Sequence, residues 1–131
     1  MRSVDTTILV RAFARDEAEQ LKLVEALFEA DQLYVPVTVV LELEWVLRAR
    51  FSFAPTQIAK AIGYLANLGN VVLGERAAVL IAVEKVKHGW DFADALHHAL
   101  SEGCDDFVSF DADLVKRGKR IAGLAPPMVR L

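Results

Sequence analysis

The sequence predicts an α/β domain, with a central, mainly parallel sheet of about four or five strands covered on both faces by helices. Short β-branched or aromatic segments alternate with longer stretches whose apolar residues recur at helical spacing. This alternation indicates parallel pairing, because a parallel neighbour needs a crossover connection. With 131 residues and 54% hydrophobic content, the chain is long and apolar enough for one compact domain, residues 1–131, with a substantial core.

The predicted strands are short and apolar. The first ends at Asp5, and Pro36 stops the second because proline cannot donate to a sheet. The fourth is expected to be buried, since most of its residues are apolar. In chain order the strands cover residues 2–4, 33–35, 71–73, 107–110 and 128–130, the last at an edge.

The predicted helices carry apolar residues every three or four positions. Pro55 suits the first turn of the third helix, and Gly89 suits the C-terminal stop of the fourth. Residues 6–10, two threonines and an apolar run, are expected to lead from the first strand towards the first helix. In chain order the helices cover residues 16–30, 38–51, 57–69, 77–88 and 91–101.

The net charge of the chain is −3, which argues against a protein that binds nucleic acid through a large positively charged surface. A local basic rim beside an acidic centre remains compatible with that value, although an ordinary solvated face explains the same charges. No apolar run is long enough for a membrane span, and the single cysteine, Cys104, suits a reducing cytoplasm. The candidate rim residues are Arg11, Arg15, Arg48, Arg50 and residues 116–120.

Four short acidic segments stand at predicted strand ends or on predicted helices, each beside apolar residues. Carboxylates placed against a core lose hydration, and a divalent cation such as Mg²⁺ compensates that loss through oxygen ligands. Jointly, the segments predict one acidic cluster at the carboxyl edge of the sheet. They are centred on Asp5, Glu42 with Glu44, Asp94 with Asp91, and Asp111 with Asp113.

Each acidic position also has an ordinary structural explanation. Asp5 and Asp111 suit helix capping or turns. Glu42 and Glu44 flank an apolar stripe, and helical geometry does not choose between them. Asp94 suits a solvated polar face, paired with His98 one turn later. A catalytic histidine is disfavoured, because the pair at residues 97–98 points two ways and lacks a Glu-x-x-His zinc pattern.

Taken in order, these segments resemble the PIN domain, and more narrowly the small VapC-type ribonuclease toxins. The likeness extends over nearly the whole chain, and order and spacing carry it rather than any one piece. Thr7 stands where asparagine is usual in the family, and Ser109 where threonine is usual. The matching segments are Asp5-Thr6, residues 41–48 around Glu42, residues 91–96, Gly103-Cys104 and residues 109–111.

The resemblance implies a three-layer α/β/α PIN-like fold and a Mg²⁺- or Mn²⁺-dependent endoribonuclease that hydrolyses RNA phosphodiesters with metal-activated water. Carried over by position, the catalytic metal ligands are Asp5, Glu42, Asp94 and Asp111. Thr6, Ser109, Asp113 and Asp91 are expected as auxiliary residues. It also implies the toxin of a type II toxin–antitoxin pair, with a cognate antitoxin and a homodimer as partners. Leu41 and Trp45 make their helix apolar nearly all round, which fits a second burial surface.

Other classes fit the residues less well. A haloacid-dehalogenase-like phosphatase would need an aspartate at position 7, where Thr7 stands, and a receiver domain would need one after residues 71–73. A catalytically weak PIN-like module that binds protein or RNA remains the main alternative. A nuclease acting on DNA or structured RNA is the third.

Overall fold

The structure, a computed structural model, describes residues 1–131 and confirms the mixed α/β class, with seven helices and five strands. All strand pairs are parallel. Strands β1 (Arg2–Ser3), β2 (Leu33–Val35) and β3 (Val71–Leu73) form one sheet in that order. Strands β4 (Phe107–Ser109) and β5 (Met128–Arg130) form a second ladder. The five predicted strands are therefore present, but they are divided between two separate hydrogen-bonded ladders.

Helices connect every pair of successive strands, as parallel pairing requires. The helices are α1 (Thr6–Ala14), α2 (Ala18–Ala30), α3 (Val37–Phe51), α4 (Pro55–Asn67), α5 (Arg76–Lys87), α6 (Phe92–Ala99) and α7 (Ala112–Lys119). Gly89 ends the α5 segment at a φ of +88°, a left-handed conformation that glycine adopts without steric cost. No helix is both long enough and apolar enough to cross a membrane.

Helix α1 is one of two helices that the sequence reasoning missed; the other is α7, for which the sequence indicated only a cap or turn at Asp111. Thr6, Thr7, Ile8 and Val10 are β-branched, and such residues have a lower intrinsic helix propensity. Packing overrides that preference, because Leu9 and Val10 are buried in the main core and α1 lies against α3. The turn after Asp5 thus leads directly into a helix.

The core lies between the first sheet and its helices. Leu33 and Val35, which point to the same face of β2, are fully buried, and Tyr34 on the opposite face is half-buried. Leu43 and Leu47 on α3 face the same core one turn apart. Strand β4 departs from the prediction of a buried strand: Val108 is 51% exposed, because β4 pairs only with β5 and one of its faces is open.

Candidate active site

A cleft lined by four aspartates lies where the N-termini of α6 and α7 approach each other. Its volume is about 220 Å³. None of the four carboxylates forms a salt bridge, and the one cationic side chain in the lining is Arg117. We call this the acidic cleft; its lining comprises Gly89, Trp90, Asp91, Asp94, Asp111, Asp113, Leu114 and Arg117.

Two of these aspartates are held in place by helix capping. Oδ1 of Asp91 accepts a hydrogen bond of 3.0 Å from the backbone N–H of Asp94 at the start of α6. Oδ1 of Asp111 accepts one of 3.0 Å from the N–H of Leu114 at the start of α7. The capping prediction for Asp111 is therefore correct, yet each residue leaves a second carboxylate oxygen for other partners.

Asp94 is the electrostatically unusual member of the cleft. Its pKa is raised, first by desolvation and then by the negative charges of Asp91 and Asp111, while His97 opposes the shift. Burial and like charges both disfavour an ionised carboxylate. Asp94, Asp91 and Asp111 thus repel one another, and a cation in the cleft would relieve that repulsion.

The auxiliary residues near β4 support Asp111. The backbone N–H of Asp111 donates to Oγ of Ser109 at 3.0 Å, so the serine shapes the turn that carries the aspartate. Asp113 lines the acidic cleft from the first turn of α7. The third and fourth acidic segments of the sequence are therefore brought together.

The first acidic segment does not line this cleft. Asp5 occupies the N-cap position of α1 but makes no capping bond, so the capping explanation is wrong for its side chain. Instead, Oδ2 of Asp5 accepts a hydrogen bond of 3.1 Å from the hydroxyl of Thr7, at the position where the family has asparagine. Thr6 is buried, and its hydroxyl has no hydrogen-bond partner.

The two glutamates of α3 differ sharply, which the sequence alone left open. Glu42 is exposed and does not line the acidic cleft. Glu44 is buried, with Oε1 2.8 Å from Nε of Arg48, and this bond is the main reason that the pKa of Arg48 is raised. The expectation of two surface glutamates is wrong for Glu44, because its partner one turn later makes burial tolerable.

His98 does not share the polar face of Asp94, which corrects the predicted pair. The ring is buried: Nε2 lies 2.8 Å from the carbonyl oxygen of Pro126, and Nδ1 lies 3.4 Å from Nζ of Lys85. The carbonyl accepts, so Nε2 carries the proton and Nδ1 faces the ammonium as an acceptor. His98 is therefore a structural histidine that connects α6 to Lys85 and to the segment before β5.

The sequence reasoning overlooked Trp90 as a residue of the lining and named Arg117 only within the candidate basic rim. Trp90 is buried immediately before the capping Asp91. Arg117 donates through Nη1 to the carbonyl oxygen of Gly89 and so ties α7 to the turn that leads into α6. Only the basic run at residues 116–120 signalled Arg117, and nothing local distinguished it from its neighbours.

A comparison with protein families decides the class. A family model described as PIN domain matches residues 3–120. The chain belongs to the PIN domain family. No curated protein and no solved structure matches the chain. PIN domains are generally nucleases that bind RNA and typically use divalent metals.

Whether this PIN domain suits a divalent cation can be judged from the cleft itself. No group of three or more His, Cys, Asp or Glu side chains stands close enough to hold an ion directly. Mg²⁺, however, usually keeps several waters and takes one or two carboxylates together with substrate phosphates. Asp94 together with the free oxygen of either Asp91 or Asp111 fits such a hydrated ion.

Because the pKa of Asp94 is raised, the contribution of this side chain to the stability of the metal-free domain is greatest in acid. A carboxyl whose folded pKa lies above its unfolded value contributes stability that is fully present below the unfolded pKa, about 3.9. That contribution is lost as pH rises through the folded pKa. We expect the difference in unfolding free energy between the wild type and Asp94→Asn to change across this window, measured by denaturant unfolding in EDTA. A constant difference would contradict the electrostatic assignment.

Proposed function

We propose that this PIN domain is a Mg²⁺- or Mn²⁺-dependent endoribonuclease and that the acidic cleft is its catalytic centre. The observation that carries the proposal is the set of four aspartates around one cleft, without a salt bridge, in a chain of a nuclease family. Four carboxylates so close together, with no salt-bridge partner, are unfavourable unless a cation or protons compensate their charge. A cleft of this kind suits the chemistry of phosphodiester hydrolysis.

Within that proposal the side chains have distinct roles. Asp94, whose pKa is raised by desolvation and by the charges of Asp91 and Asp111, is the carboxyl whose negative charge a bound cation would compensate most. Asp91 and Asp111 orient one free oxygen each, because their other oxygens are fixed by the caps of α6 and α7. A divalent cation, when bound, supplies charge neutralisation at the phosphate and acidifies water. Asp5 and Glu42 complete the ligand set that the family resemblance predicts.

We further propose that the chain is the toxin of a type II pair, restrained by an antitoxin, and that it acts as a homodimer in the cytoplasm. Two apolar surfaces support protein partners. Trp45 on α3 is 50% exposed. A groove of about 410 Å³, lined mainly by hydrophobic residues, lies among α1, α2 and α4 and suits an amphipathic helix of an antitoxin. Phe13, Val24, Phe28 and Leu65 are among its lining residues.

The decisive test is cleavage of labelled RNA by the purified chain in Mg²⁺, in Mn²⁺ and in EDTA. We expect cutting in either metal and none in EDTA. The same ions should raise the unfolding temperature, because a ligand that binds only the folded state stabilises it by mass action. A DNA strand of the same sequence, run in parallel, separates ribonuclease from deoxyribonuclease activity.

The outcomes distinguish the proposal from its main alternative. A folded chain that is not stabilised by either metal and cuts no RNA would exclude the nuclease and favour a binding module. Stabilisation by metal without cutting would keep the metal site and point to a specific RNA target absent from the assay. Cutting that persists in EDTA would contradict the metal-dependent chemistry.

A further inference from the structure

A second, basic cleft adjoins the acidic one. It has a volume of about 440 Å³ and shares Trp90 and Arg117 with the acidic cleft. No acidic residue belongs to its lining, which comprises Lys85, His88, Trp90, Arg117, Arg120 and Ile121. We propose that this basic cleft binds the phosphates of single-stranded RNA next to the bond that is cut. This inference rests on the proposed function, because it names where that substrate lies.

The basic cleft is distinctive because the other candidate rim residues are already neutralised or engaged. Arg11 pairs with Asp16 and Glu17, and Arg15 with Glu25. Arg48 pairs with Glu44, and Arg50 lies over the ring of Trp45. Arg117 and Arg120 have no carboxylate within salt-bridge distance. Arg48 also lines a small cleft that contains Asp91, but Glu44 neutralises it there. The α7 segment is thus the part of the predicted rim that presents unpaired cations to a cleft beside the aspartates.

Lys85 adds a third cation to the lining of the basic cleft. Its ammonium lies 4.9 Å from the centroid of the Trp90 ring and 3.4 Å from Nδ1 of His98. Both contacts hold the group without neutralising it, since neither the ring nor the neutral imidazole is an anion. Burial lowers the pKa of Lys85, so an incoming phosphate would favour its charged form. His88 contributes less, because Nε2 lies 3.8 Å from Oε1 of Glu84.

A continuous RNA strand is the occupant that matches both clefts. A negative phosphate is repelled by the four aspartates in the absence of metal, whereas the neighbouring phosphates meet a lining with three cations and no carboxylate. Phosphate contacts of this kind supply most of the sequence-independent affinity for nucleic acid and fix its register. The basic cleft would therefore hold the strand, and the acidic cleft would receive one phosphodiester from it.

The test is binding of a short fluorescent single-stranded RNA, measured by anisotropy in EDTA at several salt concentrations. Each phosphate contact on a single strand contributes about 0.7 to the slope of log affinity against log salt. We expect Arg120→Gln to reduce the slope by about 0.7 and to weaken binding about fivefold at ~0.1 M salt. Arg120→Lys, which keeps the charge, should bind nearly as the wild type does. Lys22→Gln, the same loss of charge on the exposed surface of α2, should leave both quantities unchanged.

The result separates this inference from the proposed function. If Arg120→Gln binds RNA with the affinity and salt slope of the wild type while the wild type cuts RNA, the basic cleft is wrong and the nuclease stands. If Arg120→Gln loses affinity but the wild type is not stabilised by either metal and cuts no RNA, the cleft stands and the nuclease fails. A loss of the same size in Lys22→Gln would show that net charge, not the cleft, governs binding, and would overturn the inference.

Discussion

Asp94→Asn is expected to lower RNA cleavage in Mg²⁺ by about a hundredfold or more, while leaving the metal-free fold at least as stable as the wild type. Stabilisation of transition-state charge by a metal ion is worth several kcal/mol, and each ~1.4 kcal/mol corresponds to a factor of ten in rate. The amide keeps the shape of the side chain but removes the charge. The activity should therefore fall without any loss of structure.

The stability half of this expectation follows from the raised pKa of Asp94. Desolvation and the charges of Asp91 and Asp111 make the ionised form unfavourable, so the neutral amide relieves repulsion. The N-terminal dipole of α6 opposes this by about 0.3–1 kcal/mol, because it favours a negative charge in the first turn. The net gain is expected to be small, on the order of 1 kcal/mol or less.

Rates of RNA cleavage and denaturant unfolding in EDTA, measured on the same preparations, test both halves. Asp105→Asn is the matched control, since it makes the same chemical change at an exposed aspartate outside the cleft. Cleavage by Asp94→Asn at the wild-type rate would remove the acidic cleft from the mechanism. A parallel loss of stability and activity would show that Asp94 supports the fold and not the chemistry.

Arg48→Met is expected to destabilise the fold by about 2–3 kcal/mol, because it strands the buried carboxylate of Glu44. Breaking a buried ion pair by removing one partner costs about 3–5 kcal/mol. We expect a cost at or below the low end of that range, because the pair is only partly buried: the side chain of Arg48 is 46% exposed, whereas that of Glu44 is 6% exposed. Glu42→Gln changes an exposed glutamate half a turn before Glu44 on α3, and it should change stability by no more than about 0.5 kcal/mol.

The pH dependence identifies the cause of that loss. Without Arg48, the carboxylate of Glu44 stays buried without a compensating charge, and acid removes that charge. The Arg48→Met deficit should therefore shrink as the pH is lowered. Arg50→Met removes the same charge from the exposed end of α3 and serves as the control. A deficit independent of pH would indicate lost packing of the arginine stem instead.

The Glu42→Gln variant also tests the proposed role of Glu42 in metal binding. If Glu42 is a metal ligand, as the family resemblance predicts, Glu42→Gln should lose metal-dependent cleavage while its stability stays unchanged. The exposed position of Glu42 leaves its carboxylate free for such a role. Wild-type cleavage by Glu42→Gln would exclude it from the ligand set. This chain would then depart from the family resemblance at the position of Glu42.

Much of the fold was predictable because it depends on local patterns. Pro36, Pro55 and Gly89 mark element ends through their own backbone geometry, which neighbouring structure does not alter. Helix α1 was not predictable in this way, since Thr6 and Thr7 disfavour a helix that only packing against α3 stabilises. The exposure of Val108 likewise depends on the partner strand, which the sequence does not name.

The site was predictable in part for the same reason. Asp91 and Asp94 are three residues apart, so helical geometry alone places them together, and Asp111 follows a strand end. The burial of His98 was not predictable, because its partner, the carbonyl of Pro126, is placed by tertiary packing. Arg48 lies one turn after Glu44 on the same helix, so that pair was visible in the sequence, but the face of α3 that is buried depends on how the helix packs.

The capping bonds of Asp91 and Asp111 have a consequence for how this sequence can change over time. Loss of a capping aspartate costs about 1 kcal/mol of stability in addition to an oxygen in the cleft. Lower stability in a cell reduces the amount of folded protein. A drifting lineage would lose stability with most replacements of Asp91 or Asp111, since Asn, Ser and Thr are the residues that cap comparably. Selection for foldability alone would thus keep a capping residue at these two positions, whereas Asp94, which caps nothing, has no such constraint and depends on the proposed chemistry.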